Sequence, residues 1–201
     1  MKDILRLAVI LTLIAAGSGL ILSLVEGMTR APIAEQRRQE TLRALKAVMP
    51  PADNTPDSDT VTLVVGQDKK GRDLTRQFYR GRLGEELSGV AFRVVAPDGY
   101  SGNIEVMVGL NPEGQVVAIA ILTHAETPGL GSLIEKDWFK DQFKGKGLDG
   151  IDWRVKKDGG QFDQITGATI SARAVVDAVR KGLEFYRDHR QEIVAVQGGV
   201  Q

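Results

Sequence analysis

The most informative run of residues in this chain is Asp163-Gln164-Ile165-Thr166-Gly167-Ala168-Thr169-Ile170-Ser171, where a loop passes into a helix. It places the hydroxyl groups of Thr166, Thr169 and Ser171 around the flexible Gly167. A helix N-terminus carries unpaired N–H groups and a partial positive charge, so it binds phosphate well. The stretch therefore predicts a phosphate site at a helix start. The alternative is that Thr169 and Ser171 simply cap the helix.

The segment after this stretch has the clearest helical pattern in the chain. Apolar residues recur there with helical spacing, at Ala172, Val175, Val176, Val179, Leu183 and Tyr186. Charged residues fall on the opposite side. We expect the apolar stripe to pack against a sheet.

Upstream of the helix the pattern is mostly that of strands. Strands are predicted over residues 61–65, 90–96, 104–110 and 116–122, with turns at 97–102 and 111–114. The run 116–122 is almost continuously apolar, which predicts that both of its faces are buried. A short helix is expected over 133–143 and a brief strand around Trp153 and Val155. Phe139, Phe143, Trp153 and Trp138 are predicted to be buried. The fold class is α+β with an antiparallel sheet.

The N-terminal part of the chain reads as a membrane anchor. Residues 7–25 carry no charge, and about 20 apolar residues span the ~30 Å hydrocarbon core of a bilayer. A cleaved signal peptide is the alternative, but its apolar region is usually only about 7–15 residues long. A polar helix is predicted over 34–48, ended by Pro50 and Pro51. The predicted organisation is an anchor (1–30), a helix and linker (31–59), a domain (60–192) and a disordered tail (193–201).

Composition excludes several classes of site. The sequence has no cysteine, so disulfides, thiolate metal sites and cysteine-bound iron–sulfur clusters are excluded. It has only two histidines, His124 and His189, so we do not expect a His-rich metal site. Basic and acidic residues balance at 26 each, so net charge gives no reason to expect a nucleic-acid partner. A redox function would need an organic cofactor.

Several motifs together resemble one family. The order Asp163, Thr166-Gly167-Ala168-Thr169 is similar to the Asp-x-x-Ser/Thr-Gly-Ala-Ser/Thr signal for covalent FMN attachment. Gly99-Tyr100-Ser101-Gly102 and Glu126-Thr127-Pro128-Gly129-Leu130-Gly131 precede it at matching spacing. With the N-terminal span, the chain resembles G subunits of the Rnf membrane electron-transport complex, an FMN-binding domain family related to the C subunit of the sodium-pumping NADH:quinone reductase.

The resemblance assigns roles to residues. It implies that FMN is bound to Thr169 through a phosphoester, with Thr166, Gly167, Ala168 and Ser171 around the attachment point. It places the segment 126–131, here called the ring-side loop, against the flavin ring, with Glu126, Thr127, Gly129 and Leu130 as cofactor-binding residues. Asp163 is implied to belong to the signal read by a separate flavin transferase. His124 is either a proton relay or a satisfied strand-end residue, and Trp138 is either a residue that borders the flavin or a buried residue of its helix. No catalytic and no metal-binding residues are expected.

The resemblance also implies partners and location. The protein would be an electron-carrier subunit, not an enzyme on its own, in a six-subunit complex that links ferredoxin and NAD to ion transport. It would lie in the cytoplasmic (inner) membrane by a single span in the lipid bilayer, with its globular domain in the periplasm. The distribution of Lys and Arg around the span slightly favours the opposite orientation, although long domains translocate largely regardless of charge.

Three alternatives remain open from the sequence. The chain could be the equivalent subunit of a sodium-pumping quinone reductase, a cofactor-free membrane-anchored scaffold, or a free-standing flavin reductase. The last of these would need a substrate site of its own, for which the sequence shows no residue set.

Overall fold

A computed structural model describes residues 1–67 and 71–195. The chain divides into two compact units, Met1–Thr41 and Leu42–Gln201. The first unit consists of most of helix α1, Lys2–Val48. Within the described residues, α1 is the only helix that is long and apolar enough to cross a membrane, and its most apolar stretch is not buried inside the protein. The two segments expected at 7–25 and 34–48 form one continuous helix. Pro32 lies inside it and removes one backbone hydrogen bond without ending the helix.

The second unit is built on a five-stranded antiparallel sheet with the strand order β1-β2-β3-β4-β5. The strands are β1 Thr60–Gln67, β2 Asp73–Leu83, β3 Glu86–Ala96, β4 Ile104–Leu110 and β5 Val116–Thr123. The predicted α+β class with an antiparallel sheet is confirmed. Four of the strands were expected from the sequence, and β2 was not.

One face of the sheet packs against helix α3, Thr169–Asp188. The apolar stripe predicted for this helix is buried there, including Ala172, Val175 and Leu183. Gly182 allows the helix to lie close to β3, since a Cβ at this position would come 2.7 Å from atoms of Phe92 and Val94. The helix that begins at the predicted phosphate site is therefore fixed on the sheet along its length.

The other face of the sheet is covered by the last turns of α1. Leu45 and Val48 pack there against Ala91 and Met107. The carbonyl oxygen of Val48 lies almost where a Cβ on Gly109 would be, so glycine is required at this contact. Strand β5 contributes side chains to the cores on both faces, as its continuous apolar run predicts.

The segment expected to be one short helix over 133–143 is three shorter elements. They are a 3-10 helix Gly131–Glu135, helix α2 Asp137–Lys140 and a 3-10 helix Asp141–Phe143. Phe139 and Phe143 are fully buried, as predicted. The prediction that Trp138 is buried was wrong, since 49% of its surface is exposed. Because Phe139 points into the core from a single helical turn, its neighbour Trp138 is directed outward.

The region before α3 is mostly irregular. Trp153 is buried as predicted, but Val155 forms only an isolated parallel bridge with Phe162, and no strand is present here among the described residues. A 3-10 helix Lys156–Asp158 follows. After α3, the short helix α4 Arg190–Val194 buries Ile193, so the packed fold continues beyond residue 192. Residues 196–201 of the predicted tail lie outside the described part of the chain.

Candidate functional site

Helix α3 begins at Thr169 without a side-chain cap. Its N-cap residue is Ala168, which has no side chain able to accept a hydrogen bond, and the first turn contains no acidic residue. The interpretation of Thr169 and Ser171 as helix caps is therefore not supported. The hydroxyl of Ser171 is engaged elsewhere, and the first-turn N–H groups are left without a capping side chain, as an anion site requires.

The start of α3 opens into a cleft of about 600 Å³. It brings together residues that are far apart in the sequence: Tyr100, Glu126, Thr127, Leu130, Gly131, Lys157, Gly167, Ala168, Thr169, Ile170 and Ser171. Seven of the predicted cofactor-binding residues are in this lining. The other two, Thr166 and Gly129, are exposed and directly precede lining residues in the sequence, but they do not line the cleft themselves.

A buried carboxylate forms one wall of the cleft. Glu126 is only 4% exposed. Its Oε1 accepts a hydrogen bond from the backbone N–H of Ser101 at 3.0 Å, and its Oε2 accepts one from the hydroxyl of Ser171 at 2.5 Å. Glu126 thus connects the 99–102 turn, the ring-side loop and the first turn of α3.

Two glycines make room for this carboxylate. A Cβ on Gly131 would come 2.7 Å from Glu126 Oε2, and a Cβ on Gly99 would come 2.9 Å from Oε1. Both distances are too short for a real side chain. Gly99, the first glycine of the 99–102 motif, and Gly131, the last of the 126–131 motif, are therefore explained by close packing against Glu126, and Gly99 also approaches the carbonyl oxygen of Gly102.

The ring-side loop is a tight turn. The N–H of Leu130 donates to the carbonyl of Thr127 at 3.1 Å, with Pro128 and Gly129 in the central positions. Gly129 has φ of 73°, which is the left-handed conformation that the third position of a type II turn requires. Gly129 therefore shapes the loop, while Thr127 and Leu130 line the cleft.

His124 fixes the base of this loop. Its Nδ1 accepts a hydrogen bond from the N–H of Glu126 at 3.1 Å. Since Nδ1 acts as an acceptor, Nε2 carries the proton in the neutral ring and donates to Glu135 Oε1 at 3.0 Å. Both ring nitrogens thus have protein partners, which agrees with the satisfied strand-end residue considered from the sequence.

Asp163 lies on the surface, away from the cleft lining. Its carboxylate pairs with Lys156 at 2.7 Å, and its backbone N–H donates to Gln142 Oε1 at 2.5 Å. A residue in this position is accessible to another protein but does not contact the space next to Thr169.

Sequence reasoning missed four residues of the cleft, Tyr100, Gly131, Lys157 and Ile170, of which Gly131 lies in the ring-side loop but was not assigned to the site. Tyr100 lies in a quoted motif, but its side chain was not assigned to the site. Ile170 is part of the stretch 163–171, and 46% of its surface is exposed. Lys157 adds a cation to the lining. Nothing local in the sequence marks it, because the 3-10 helix Lys156–Asp158 brings it to α3 through the tertiary fold.

Comparisons with known proteins agree with this arrangement. Residues 1–48 match the RnfG N-terminal region, and residues 99–184 match the FMN-binding domain. A relative from Pseudomonas aeruginosa, named as the G subunit of an ion-translocating oxidoreductase complex, is 42% identical over 203 residues, covering 96% of this chain and 94% of the relative. One of the same name from Aliivibrio fischeri is 37% identical over 193 residues, covering 92% and 91%. The chain belongs to this G-subunit family.

Solved structures share the fold at low sequence identity. NqrC of Shewanella oneidensis superposes with a TM-score of 0.60 at 16% identity, over 79% of this chain and 98% of that one. The C subunit of the Na(+)-translocating NADH-quinone reductase from Parabacteroides distasonis gives a TM-score of 0.51 at 20% identity, over 70% and 79%. These similarities establish the fold and, at this identity, nothing about function.

Proposed function

We propose that the protein carries FMN, bound covalently through a phosphoester to Thr169, as an electron-transfer subunit of an ion-translocating oxidoreductase complex. The observation that carries this proposal is the position of Thr169. It is the first residue of a helix without a side-chain cap, and it lines the cleft formed with the ring-side loop.

The residues of the cleft fit an ester-linked phosphate and a flat ring. Free N–H groups and the helix dipole at the start of α3 favour a phosphate there, and Lys157 supplies a positive charge in the same lining. Tyr100, Leu130 and Ile170 give the cleft an apolar rim, on which an aromatic ring can lie.

The flavin supplies the redox chemistry, and the protein supplies its position and surroundings. A covalent bond keeps the cofactor at high effective concentration near its partners, where a freely exchanging cofactor would be diluted. The described part of the chain contains no cluster of three or more His, Asp or Glu residues that could hold a metal ion.

The partners follow from the family. We propose that the protein works in a six-subunit membrane complex that links ferredoxin and NAD to ion transport, and that a separate flavin transferase attaches the FMN. Membranes containing the complex should couple electron transfer between ferredoxin and NAD to ion transport, and the Thr169→Ala variant should abolish this coupling. Full coupling in that variant would contradict the proposed place of Thr169 in electron transfer.

For location, we propose a single span in the cytoplasmic membrane, with the flavin domain in the periplasm. Helix α1 supplies the span, and its length and composition support this part. A reporter that functions only in the periplasm, fused to the C-terminus of the full chain, should be active. Activity of a cytoplasm-specific reporter at the same position would show the opposite orientation.

Flavin attachment is tested by in-gel fluorescence. The full chain, co-expressed with a flavin transferase, should give a fluorescent band after denaturing electrophoresis, and Thr169→Ala should remove it. Thr169→Ser keeps a hydroxyl and should retain fluorescence. Thr62→Ala, an exposed threonine on β1, is the matched control and should be as fluorescent as the unaltered chain.

The same experiment separates the alternatives. A chain that never acquires flavin would support a cofactor-free scaffold. Fluorescence retained in Thr169→Ala would move the attachment to another residue. The curated relatives favour the G-subunit family over the equivalent component of a sodium-pumping quinone reductase, since only the fold is shared with the latter at 16–20% identity.

A further inference from the structure

The hydrogen bond between Glu126 and Ser171 is unusual for its depth. Among the described residues, three polar or charged ones are buried, Arg80, Glu126 and Ser171, and two of them are this pair. Burying a carboxylate is costly unless hydrogen bonds compensate it. Gly99 and Gly131 provide space for this one carboxylate, which indicates that the surrounding structure is built around it.

The pair lies at the start of α3, the helix that begins at Thr169. Ser171 is two residues after Thr169 and in the same first turn of α3, which has no side-chain cap of its own. First turns without caps tend to fray, because their N–H groups lack partners inside the helix. The bond to Glu126 holds this turn to the ring-side loop, since Glu126 is the first residue of that loop.

We propose that Glu126 is a positioning residue: it accepts hydrogen bonds from Ser171 and from the Ser101 N–H and thereby fixes Thr169 relative to the ring-side loop. Its effect on a bound flavin rests on the proposed function. Its effect on the protein does not, because the three segments it joins are held together in the chain alone.

The geometry predicts that hydrogen bonding, and not the charge, performs this role. In Glu126→Gln, the amide oxygen can accept from the Ser101 N–H, and the amide nitrogen can donate to Ser171 Oγ. Both connections survive while the charge is lost. In Glu126→Ala both are lost, and the buried hydroxyl of Ser171 is left without its acceptor.

Amide hydrogen exchange of the full chain without flavin tests the protein part. The Ser101 amide donates directly to Glu126, and the Ala172 amide closes the first turn on the Ala168 carbonyl at 3.3 Å. In Glu126→Ala both amides should exchange at least about tenfold faster, the change that loss of one hydrogen bond produces in a local opening equilibrium. In Glu126→Gln both should stay within about threefold of the unaltered chain. Glu105→Ala, which removes a half-exposed carboxylate paired with Arg93, is the control and should leave both unchanged.

A second variant covers the case in which Glu126→Ala does not fold. Ser171→Ala breaks one of the two connections, so it should speed exchange at Ala172 while Ser101 stays protected. Unchanged exchange at Ala172 in that variant would overturn the proposal. Glu126→Gln behaving like Glu126→Ala would also overturn it, because charge and not hydrogen bonding would then hold the turn.

Visible circular dichroism of the flavin-loaded chain tests the cofactor part. A flavin ring held in one fixed environment gives a defined circular dichroism signal in the visible range. Glu126→Ala should reduce this signal at least twofold, and Glu126→Gln should restore it. An unchanged signal in Glu126→Ala would contradict the positioning role. If the unaltered chain acquires no covalent flavin, the proposed function fails, and the exchange experiment still decides the role of Glu126.

Discussion

Gly167 lies directly against Leu130: a Cβ added to Gly167 would come 3.1 Å from Leu130 Cδ1. Gly167 belongs to the stretch that leads into α3, and Leu130 belongs to the ring-side loop. Two motifs separated by more than thirty residues in the sequence are therefore in contact beside Thr169. The Glu126–Ser171 hydrogen bond joins the same two segments.

Replacing Gly167 with alanine should destabilise the protein for two reasons. The residue has φ of 82°, where alanine is strained, and the new methyl group would press on Leu130. We expect a loss of about 1–3 kcal/mol in the free energy of unfolding, measured by urea denaturation. Gly145→Ala is the matched control, since Gly145 has φ of 74° and open space around its ideal Cβ. Equal losses in the two variants would show that the Leu130 contact contributes nothing.

The surroundings of the flavin ring should depend on the ring-side loop. Replacing Thr127 and Leu130 with alanine should leave covalent flavin in place and shift its reduction potential by tens of millivolts at most. A shift of about 30 mV in a two-electron couple corresponds to ~1.4 kcal/mol, near the net worth of one hydrogen bond. Spectroelectrochemistry of the flavin-loaded chain measures this.

The control for the loop variant is Leu74→Ala with Thr75→Ala. These residues are exposed on β2, outside the cleft, and should not change the potential. An unaltered flavin spectrum and potential in the loop variant would show that Thr127 and Leu130 do not contact the ring.

Stability should fall in acid through Asp59. Burial raises the pKa of Asp59, but hydrogen bonds and charges from Arg82 and Arg80 outweigh this and hold the pKa below its usual value of 3.8. A carboxylate with a lowered pKa in the folded state stabilises the fold above its unfolded-state pKa. That contribution should disappear progressively as the pH falls below about 4.

Asp59→Asn tests this origin of the acid sensitivity. It leaves Arg80, which is 4% exposed, without its ionic partner. The free energy of unfolding at pH 7 should therefore fall by about 3 kcal/mol. The difference between the variant and the unaltered chain should shrink as the pH is lowered from 5 to 2, in denaturation curves measured at each pH. A difference that does not vary over this range would exclude Asp59 as the titrating group. Asp57→Asn, which removes a nearby carboxylate in the same turn, is the comparison.

Flavin attachment should need a separate enzyme. The cleft contains no set of residues arranged to form a phosphoester, and Asp163 is turned to the surface, where another protein can read it. Expression in a host that lacks a flavin transferase should yield the unmodified chain. Complete modification of the purified chain by FAD and magnesium alone would contradict this prediction.

The parts of the fold that could be predicted depend on local pattern. Helix α3 was predicted because its apolar stripe follows the helical period, and β3, β4 and β5 because their residues are apolar and bounded by turn residues. Strand β2 was missed, since Arg76, Arg80 and Arg82 interrupt its apolar pattern. Arg80 is buried in this strand only because Asp59, 21 residues away, neutralises it. Such a long-range pair leaves no local signal.

In the candidate site, too, the sequence marks the local motifs but not the contacts that the tertiary fold creates. The motifs containing Glu126 and Thr169 were identified by resemblance, and the structure brings them into one cleft. The absence of a cap on α3 could not be read from a sequence in which Thr169 and Ser171 both suit capping. Ser171 is drawn away by Glu126, 45 residues upstream, which only the tertiary fold makes its neighbour. Lys157 joins the cleft for the same reason.

Covalent attachment of FMN to Thr169 is tested by mass spectrometry of the peptide that contains this residue. Trypsin cleaves after Lys157 and Arg173, so one peptide, residues 158–173, holds Thr166, Thr169 and Ser171 together. From the chain co-expressed with a flavin transferase, this peptide should carry the mass of one FMN joined with loss of water. Fragmentation should place that mass on Thr169. An unmodified peptide from a flavin-loaded preparation, or fragments that place the mass on Thr166 or Ser171, would contradict the attachment of FMN to Thr169.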